Sequence, residues 1–171
     1  MIVADASPLI VLSKLQRLNL LNRLYGKVLI GPVVKVETID SGKAVRARGV
    51  EQLEAAQEEG WLQTVLLTSE ERGLMQRLTR RSHLDRGEAE SIALASLRGL
   101  RLIVDDKEAR SVAEVAGVEH WGTVGALLEA HLRRHLDLGE LEATLRDLTQ
   151  ILWLSPAVVA EAMRLAREAS R

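Results

Sequence analysis

Met1-Ile2-Val3-Ala4-Asp5-Ala6-Ser7-Pro8 decides the fold, because a short apolar strand ends there in an acid and helical sequence follows. The same order of strand, acid and helix returns at Leu102-Ile103-Val104-Asp105-Asp106. Such units indicate parallel strands whose carboxyl ends share one edge of a sheet. Open α/β sheets usually hold their sites at that edge, so we expect the acids to gather there. Clustered carboxylates need a cation or protons to relieve their repulsion, which indicates metal chemistry.

The hydrophobic pattern predicts an α/β protein with a mostly parallel sheet. Helices are predicted at residues 8–24 with a break near 17–19, at 32–40, 43–60 and 88–97, from 69 onward, at 107–116, and over most of the C-terminal third. Strands are predicted at residues 27–30, 61–67, 101–105 and 118–121, with a further candidate at 151–154. The chain has 171 residues, of which 47% are hydrophobic. We therefore predict one domain over residues 1–171, with a core at 1–130 and a helical extension at 131–171.

The composition excludes several kinds of protein. Cysteine is absent, so disulfides and thiolate metal sites are excluded. The apolar start has no basic segment or cleavage site, and Asp5 and Lys14 interrupt it, so we expect a cytoplasmic protein without a membrane span. A formal net charge of -1 argues against coating nucleic acid by bulk charge. Only 2% of residues are aromatic, which argues against a base-stacking platform of the single-strand-binding kind.

The first two candidate acids each have a structural and a chemical interpretation. Asp5 precedes a predicted helix, so its carboxylate either caps that helix or binds a metal. Glu37 lies on or beside the predicted buried face of the helix at 32–40, where a carboxylate needs a partner or an ion. That face is predicted to comprise Val33, Val34, Val36 and Ile39. A partly exposed Glu37 in a salt bridge is the alternative.

The later acids leave similar alternatives open. Asp85 and Glu88 have the spacing of a capping box, whereas Gly87 beside them permits close approach of a ligand or another segment. Glu90 lies about 200° around the helix from Glu88, so we expect one of these two glutamates on the solvent side. The pair Asp105-Asp106 is equally ambiguous. One of the two can cap the helix that starts at residue 107 while the other binds an ion.

Together these segments resemble the PIN-domain family of metal-dependent nucleases, and in particular are similar to VapC-type toxins. The resemblance rests on residues 3–10, 29–37, 84–95, 102–110 and 122–125, and it covers the chain from residue 1 to about 130. It implies a three-layer α/β/α sandwich with a mostly parallel sheet. It also implies an endoribonuclease that hydrolyses RNA phosphodiester bonds, an antitoxin partner and a homodimer. The tail from about residue 131 is poorly covered, so its role is not inherited.

Carried over by position, the resemblance implies a carboxylate site for Mg²⁺ or Mn²⁺. Its metal-binding and catalytic residues would be Asp5, Glu37, Glu88, and Asp105 or Asp106. Ser7 matches a small hydroxyl residue that supports the first acid in the family. The chain departs from the pattern by having Glu88 where many relatives have Asp, with Glu90 as a competitor. Hard oxygen ligands with open positions suit Mg²⁺, and a bound water becomes acidic enough to attack a phosphodiester.

A basic stretch before Glu88 is the candidate surface for substrate phosphates. Arg80, Arg81 and Arg86 are its main members, with Arg72, Arg77 and His83 nearby. Such clusters position a strand without reading its sequence, although a solvated helix face has the same composition. His131 and His135 have the spacing of a helical zinc pair, but neighbouring arginines favour a solvated surface.

The sequence is also compatible with two other functions, and its C-terminal leucine stripe has two structural interpretations. A catalytically silent PIN-like binding module would keep the fold without binding metal. A receiver-type phospho-acceptor also uses clustered aspartates and Mg²⁺, but its acid pair should lie near the first strand, whereas the pair here lies late. The leucine-rich stripe of the C-terminal third is typical of either core or a partner-binding face.

Overall fold

A computed structural model describes residues 1–170, and Arg171, the last residue of the predicted domain, lies outside the described part. The strands are β1 (Ile2–Ala4), β2 (Val28–Ile30), β3 (Leu62–Thr64), β4 (Leu102–Ile103) and β5 (His120–Trp121). The helices of the first half are α1 (Ala6–Lys14), α2 (Asn19–Tyr25), α3 (Pro32–Lys35), a π-helical segment (Val36–Asp40), α4 (Ser41–Ala44) and α5 (Val50–Glu58). Those of the second half are α6 (Ser69–Arg81), α7 (Arg86–Arg98), α8 (Lys107–Val115), α9 (Thr123–Leu132), α10 (Leu138–Leu148) and α11 (Pro156–Ala169).

The five strands form one parallel sheet in the order β3-β2-β1-β4-β5, which confirms the predicted class. Val3 pairs with Leu29 on one side and with Leu102 on the other, so β1 is the central strand. The chain leaves β1 toward β2 and later returns to its other side with β4. The carboxyl ends of β1 and β4 therefore border the topological switch point, where open α/β sheets form a crevice.

Helices cover both faces of the sheet, as in a three-layer α/β/α sandwich. Ile2 and Ala4 point to a core shared with α1, α2, α5 and the C-terminal helices α9 to α11. Val3, between them, points to the opposite core, which α6, α7 and α8 complete. This alternation is the two-residue period of a strand, and here both sides of it are apolar because both faces are buried.

The helix after β2 differs from its prediction in its length and in the directions of its later side chains. The predicted helix ends at residue 40, but the chain stays helical to Ala44. Gly42 is buried, and a Cβ atom there would lie 2.9 Å from a Val50 methyl carbon, so this glycine permits close packing rather than ending the helix. The π-turn, in which the Ser41 N–H bonds to the Val36 carbonyl, shifts every later side chain around the axis.

The predicted helix over residues 43–60 and strand over 61–67 are both too long. Arg46 and Gly49 adopt positive φ angles of 50° and 89°, so the backbone turns before α5 begins at Val50. The strand is limited to Leu62–Thr64 because it is an edge strand that pairs only with β2. The predicted break in the first helix is confirmed, since α1 ends at Lys14 and α2 starts at Asn19.

The C-terminal third is part of the main core rather than a loose extension. Leu141, Leu145 and Leu148 of α10 are buried against the same cluster as Met163 and Ala166 of α11. Most of the leucine stripe is therefore internal. The candidate strand at 151–154 is wrong, because this segment is an irregular connection between α10 and α11. Across residues 1–170, the helices are all too short or too polar to span a bilayer.

Candidate active site

An open cavity of about 550 Å³ lies where the carboxyl ends of β1 and β4 meet the starts of α1, α7 and α8. All the acids expected at the site line it, namely Asp5, Glu37, Glu88, Asp105 and Asp106, and so does Ser7. Asp85 and Lys107 line it as well. The structure thus brings together acids that are up to 101 positions apart in the sequence, from Asp5 to Asp106.

Asp5 forms the floor of this acid cavity. It stands at the N-cap position of α1, but its side chain makes no capping hydrogen bond. Instead, the Ser91 hydroxyl donates to Asp5 Oδ1 at 3.2 Å. Burial raises the pKa of Asp5 to about 6, assisted by repulsion from Asp85 and opposed by the N–H groups of Ala6 and Ser7. The Asp5 side chain therefore does not serve as the hydrogen-bonded cap of α1.

Glu37 faces the acid cavity from the π-helical segment. The prediction that Val36 shares the buried face is wrong. Val36 is 52% exposed because it lies about 200° around the helix from buried Val34, and Glu37 is exposed beside it. Loss of hydration at the carboxyl, followed by repulsion from Asp85 and Asp5, raises the pKa of Glu37 to about 7. A methyl group at Gly87 would overlap the Glu37 carboxylate, so this glycine makes room for the acid at the start of α7. π-turns are frequent at functional sites because they redirect a side chain in this way.

Glu88 and Glu90 have different environments, and the expectation that one of them faces solvent is wrong. Glu88 is half-buried and closes the predicted capping box: its carboxylate accepts from the Asp85 N–H at 2.9 Å. Burial raises the pKa of Glu88 to about 7 despite that bond. Glu90 is only 1% exposed, and its Oε2 accepts from the Val33 and Val34 N–H groups at 3.0 Å each. Glu90 therefore holds the start of α3 and does not line the acid cavity.

Asp105 and Asp106 both line the cavity, and each also holds the start of a helix. Asp105 accepts from the backbone N–H and the hydroxyl of Thr123, both at 2.7 Å. Asp106 Oδ1 accepts from the Ala109 N–H at 2.9 Å and is the N-cap of α8, as expected for one of the pair. Asp105 is half-buried whereas Asp106 is exposed, so the two carboxylates differ in their access to solvent.

The carboxylates fit a hard divalent cation in their chemistry but are not preassembled around one. All the acidic donors are oxygens. Burial, with added repulsion from neighbouring carboxylates, raises the pKa values of Asp5, Glu37 and Glu88, so a cation would stabilise their charged forms. Within residues 1–170, no three His, Asp or Glu side chains are already arranged to hold one ion. The reason is visible in the hydrogen bonds, since Glu88, Asp105 and Asp106 are turned toward backbone N–H groups.

A second cavity of about 350 Å³ is lined by some, but not all, of the arginines predicted to contact substrate phosphates. Arg80 and Arg86 line it together with Arg72, whereas Arg81 does not. Arg86 is the first residue of α7 and partly offsets the negative charge around Glu37. The side chains of Arg72, Arg80 and Arg86 line a groove beside the acid cavity, which we call the arginine groove. His131 is not a zinc-pair residue in this arrangement, because its ring bridges the Leu136 carbonyl and the Ser170 hydroxyl at 3.0 Å each.

Two charged residues of the acid cavity, Asp85 and Lys107, were not predicted to lie there. Asp85 was treated only as half of a capping box, yet it raises the pKa of Asp5, Glu37 and Glu88. The available signal was Gly87, which indicated close approach next to this acid. Lys107 was treated only as the start of a helix, although its position directly after two strand-end aspartates was available from the sequence.

A family model described as a PIN domain matches residues 1–168. The match includes α10 and most of α11, so the expectation that the family likeness fades near residue 131 is wrong. No curated protein matches the chain. The matched length agrees with the structure, in which the C-terminal helices share the core of the first 130 residues.

Proposed function

Because the chain belongs to the PIN-domain family, whose members are generally nucleases and typically use divalent metal ions, we propose that it is an endoribonuclease dependent on Mg²⁺ or Mn²⁺. The observation that carries this proposal is the convergence of Asp5, Glu37, Glu88, Asp105 and Asp106 on one open cavity. A structural role alone does not explain why Asp5 is buried beside other carboxylates with its pKa raised to about 6.

Asp5 and Glu37 are the acids best suited to meet an ion directly. Within the described chain, neither carboxylate forms a capping hydrogen bond, whereas those of Glu88, Asp105 and Asp106 accept from backbone N–H groups at helix starts. A bound Mg²⁺ or Mn²⁺ would make a water acidic and stabilise charge on the phosphoryl oxygens. The remaining carboxylates would orient that ion's waters from their capping positions, which agrees with the preference of Mg²⁺ for keeping several waters.

The other residues would hold and position groups around that centre. Ser91 fixes the Asp5 carboxylate through its 3.2 Å hydrogen bond, and Ser7 lies on the same wall. Arg80 and Arg86 of the arginine groove, with Arg81 as the more distant candidate, would contact backbone phosphates of the RNA. Phosphate contacts of this kind fix the register of a strand without reading its sequence.

We further propose that the protein is the toxin component of a toxin-antitoxin pair, acting in the cytoplasm as a homodimer. This part rests on the similarity of residues 3–10, 29–37, 84–95 and 102–110 to VapC-type toxins. The homodimer is tested by light scattering at working concentration, which should give twice the mass of one chain. The mass of a monomer would contradict the dimer.

One observation favours a second candidate, the catalytically silent PIN-like binding module. Three of the five acids are held by backbone N–H groups and none of the described residues form a ready metal cage. If these hydrogen bonds are stronger than the attraction of an ion, the fold would persist without metal binding. The two candidates differ in metal affinity as well as in activity.

The deciding experiment pairs metal binding with cleavage. Purified full chain is titrated with Mn²⁺ by calorimetry, and labelled RNA is incubated with protein and Mn²⁺ or Mg²⁺, with and without EDTA. Asp5→Asn is carried through both assays, with Asp137→Asn, an acid that caps α10 away from the cavity, as the matched control. We expect Mn²⁺ binding and metal-dependent cleavage that Asp5→Asn abolishes and Asp137→Asn keeps. Cleavage that survives Asp5→Asn would refute the site, and absence of Mn²⁺ binding would favour the silent module.

A further inference from the structure

A cavity of about 380 Å³ adjoins the acid cavity and shares a wall with it. Asp105, Lys107 and Leu152 line both cavities, so a strand lying on the acids can continue into the second one without leaving the surface. The far side of this side cavity consists of the connection between α10 and α11 and the start of α11. Trp153 belongs to that wall, directly after Leu152.

Trp153 is 86% exposed, the most exposed of the aromatic side chains in the described chain. Trp61 is buried, and Trp121 is partly buried against the core. An exposed indole gains nothing for folding, because its apolar surface stays in water. A large aromatic ring in an exposed connection beside a candidate active site is better explained by a ligand than by packing.

The charges of the side cavity indicate the kind of ligand. Lys107 and Arg110, three residues apart on α8, line it together with Trp153, and Asp105 is the acid in its lining. Among residues 1–170, neither cation forms a salt bridge, so both charges are available to an anion. An aromatic ring facing two cations is the arrangement that binds single-stranded nucleic acid, since the ring takes a base and the cations take the phosphates.

We propose that Trp153 stacks on a base of the RNA strand next to the phosphate held at the acid cavity, while Lys107 and Arg110 contact the adjoining phosphates. This inference rests on the proposed function and adds a substrate subsite to it. One exposed ring accepts any base, so the subsite positions the strand and contributes affinity rather than strong sequence preference. The low aromatic content of the chain excludes an extended platform but not a single stacking residue.

The rival occupant is an apolar segment of a partner protein. Ile151 and Val158 are 38% and 45% exposed near Trp153, so the same patch offers aliphatic surface as well. Lys107 and Arg110 favour RNA over such a segment, because burying two unpaired cations against apolar side chains is costly. The two occupants require different side chains at residue 153. A base needs an aromatic ring, whereas an apolar segment needs only a large apolar side chain.

The test measures binding of RNA without cleavage. Fluorescence anisotropy follows a fluorescein-labelled single-stranded RNA of mixed sequence, added to the full chain in EDTA at low salt. Trp153→Phe, Trp153→Leu and Trp153→Ala are compared with Leu66→Ala, a control at a side chain that is 81% exposed and lines neither cavity. We expect Trp153→Phe and Leu66→Ala to bind like the wild-type chain. Trp153→Leu and Trp153→Ala should lose roughly 5- to 100-fold in affinity, the range typical of one stacked base.

Each other outcome overturns the inference. If Trp153→Leu binds like wild type, the residue acts as an apolar contact, which fits a protein segment. If all variants equal wild type, or the wild-type chain itself binds no RNA, there is no stacking subsite. Failure of the nuclease proposal is separate, because it would appear as absent cleavage in Mg²⁺ or Mn²⁺ while the binding differences in EDTA persist.

Discussion

Asp105 receives two hydrogen bonds of 2.7 Å from Thr123, one from its backbone N–H and one from its hydroxyl. Thr123 is fully buried, so this pair fixes the carboxylate at the end of β4 against the start of α9. The acid is thereby held at the edge of the cavity in a single orientation.

Removing only the hydroxyl tests this relationship. Thr123→Val keeps the shape and the N–H bond, and we expect it to lower the free energy of unfolding by about 1 kcal/mol, since water can reach the half-buried acid. Cleavage should fall roughly tenfold because a loosened Asp105 no longer presents a fixed oxygen. Urea unfolding and the RNA assay measure the two effects.

The matched control is Thr144→Val on α10, where a buried hydroxyl donates to the Glu140 carbonyl at 2.7 Å away from the cavity. Its cleavage rate should equal that of the wild-type chain. Equal losses of activity in both variants would mean that Thr123 acts only through stability.

Glu88 and Glu90 should respond oppositely to amide substitution. Glu88→Gln can still close its capping box, so stability should stay within about 0.5 kcal/mol while cleavage is lost. The Val33 N–H contacts both Glu90 oxygens, so Glu90→Gln places an amide donor against it, and we expect a loss of about 1–3 kcal/mol in unfolding free energy. Full activity in Glu88→Gln would exclude Glu88 from the site.

Gly87→Ala should separate activity from stability. An alanine in the first turn of α7 favours the helix by roughly 0.5–1 kcal/mol, yet its methyl group would displace the Glu37 carboxylate. We therefore expect a melting temperature that is unchanged or higher, with cleavage reduced tenfold or more, as an order of magnitude. Gly73→Ala on α6 is the control, since a Cβ there meets only the end of Arg77 at 3.5 Å. An active Gly87→Ala enzyme would show that the position of Glu37 is unimportant.

Stability in EDTA should fall as the pH rises. The pKa values of Asp5, Glu37 and Glu88 are raised to about 6, 7 and 7, so the folded chain binds more protons than the unfolded chain between roughly pH 4 and 7. The free energy of unfolding therefore decreases through that window, with Asp5 alone accounting for up to roughly 3 kcal/mol. The pKa of Glu71 is lowered, first by its hydrogen bond from Arg98, and its contribution is lost only below about pH 4, outside the window.

Thermal melts at pH 5 and pH 8 measure this effect. We expect the higher melting temperature at pH 5, a smaller difference in Asp5→Asn, and recovery at pH 8 when Mn²⁺ is added. A chain that is more stable at pH 8 than at pH 5 in EDTA would contradict the raised pKa values of Asp5, Glu37 and Glu88.

The arginines should differ in their effect on RNA binding. Arg80→Gln removes a charge from the arginine groove, and we expect weaker binding and a salt dependence reduced by about one phosphate contact. Arg167→Gln, an exposed arginine of α11 that lines none of these cavities, serves as the control and should bind as wild type. The measurement is anisotropy in EDTA over a range of salt concentrations, and equal losses in both variants would indicate bulk charge alone.

Sequence patterns were sufficient for the parts of the site that follow from strand geometry. Asp5 and Asp105 each end a parallel strand, so their meeting at one edge follows from topology, and the Asp85–Glu88 capping box follows from local spacing. The role of Glu90 could not be read in the same way, because its partners at Val33 and Val34 lie 57 and 56 positions away. Trp153 was missed for a different reason: four apolar residues in a row resemble a strand, and only packing decides whether they pair.

The π-turn at Val36–Asp40 has a consequence for comparing this chain with others. It contains one residue more than the same length of regular helix would need, which amounts to about 100° of rotation. An alignment that places a gap inside this segment would match Glu37, which lines the cavity, to a neighbouring position that does not. To find the residue equivalent to Glu37 in another chain, residues must therefore be counted backward from α4 as well as forward from β2.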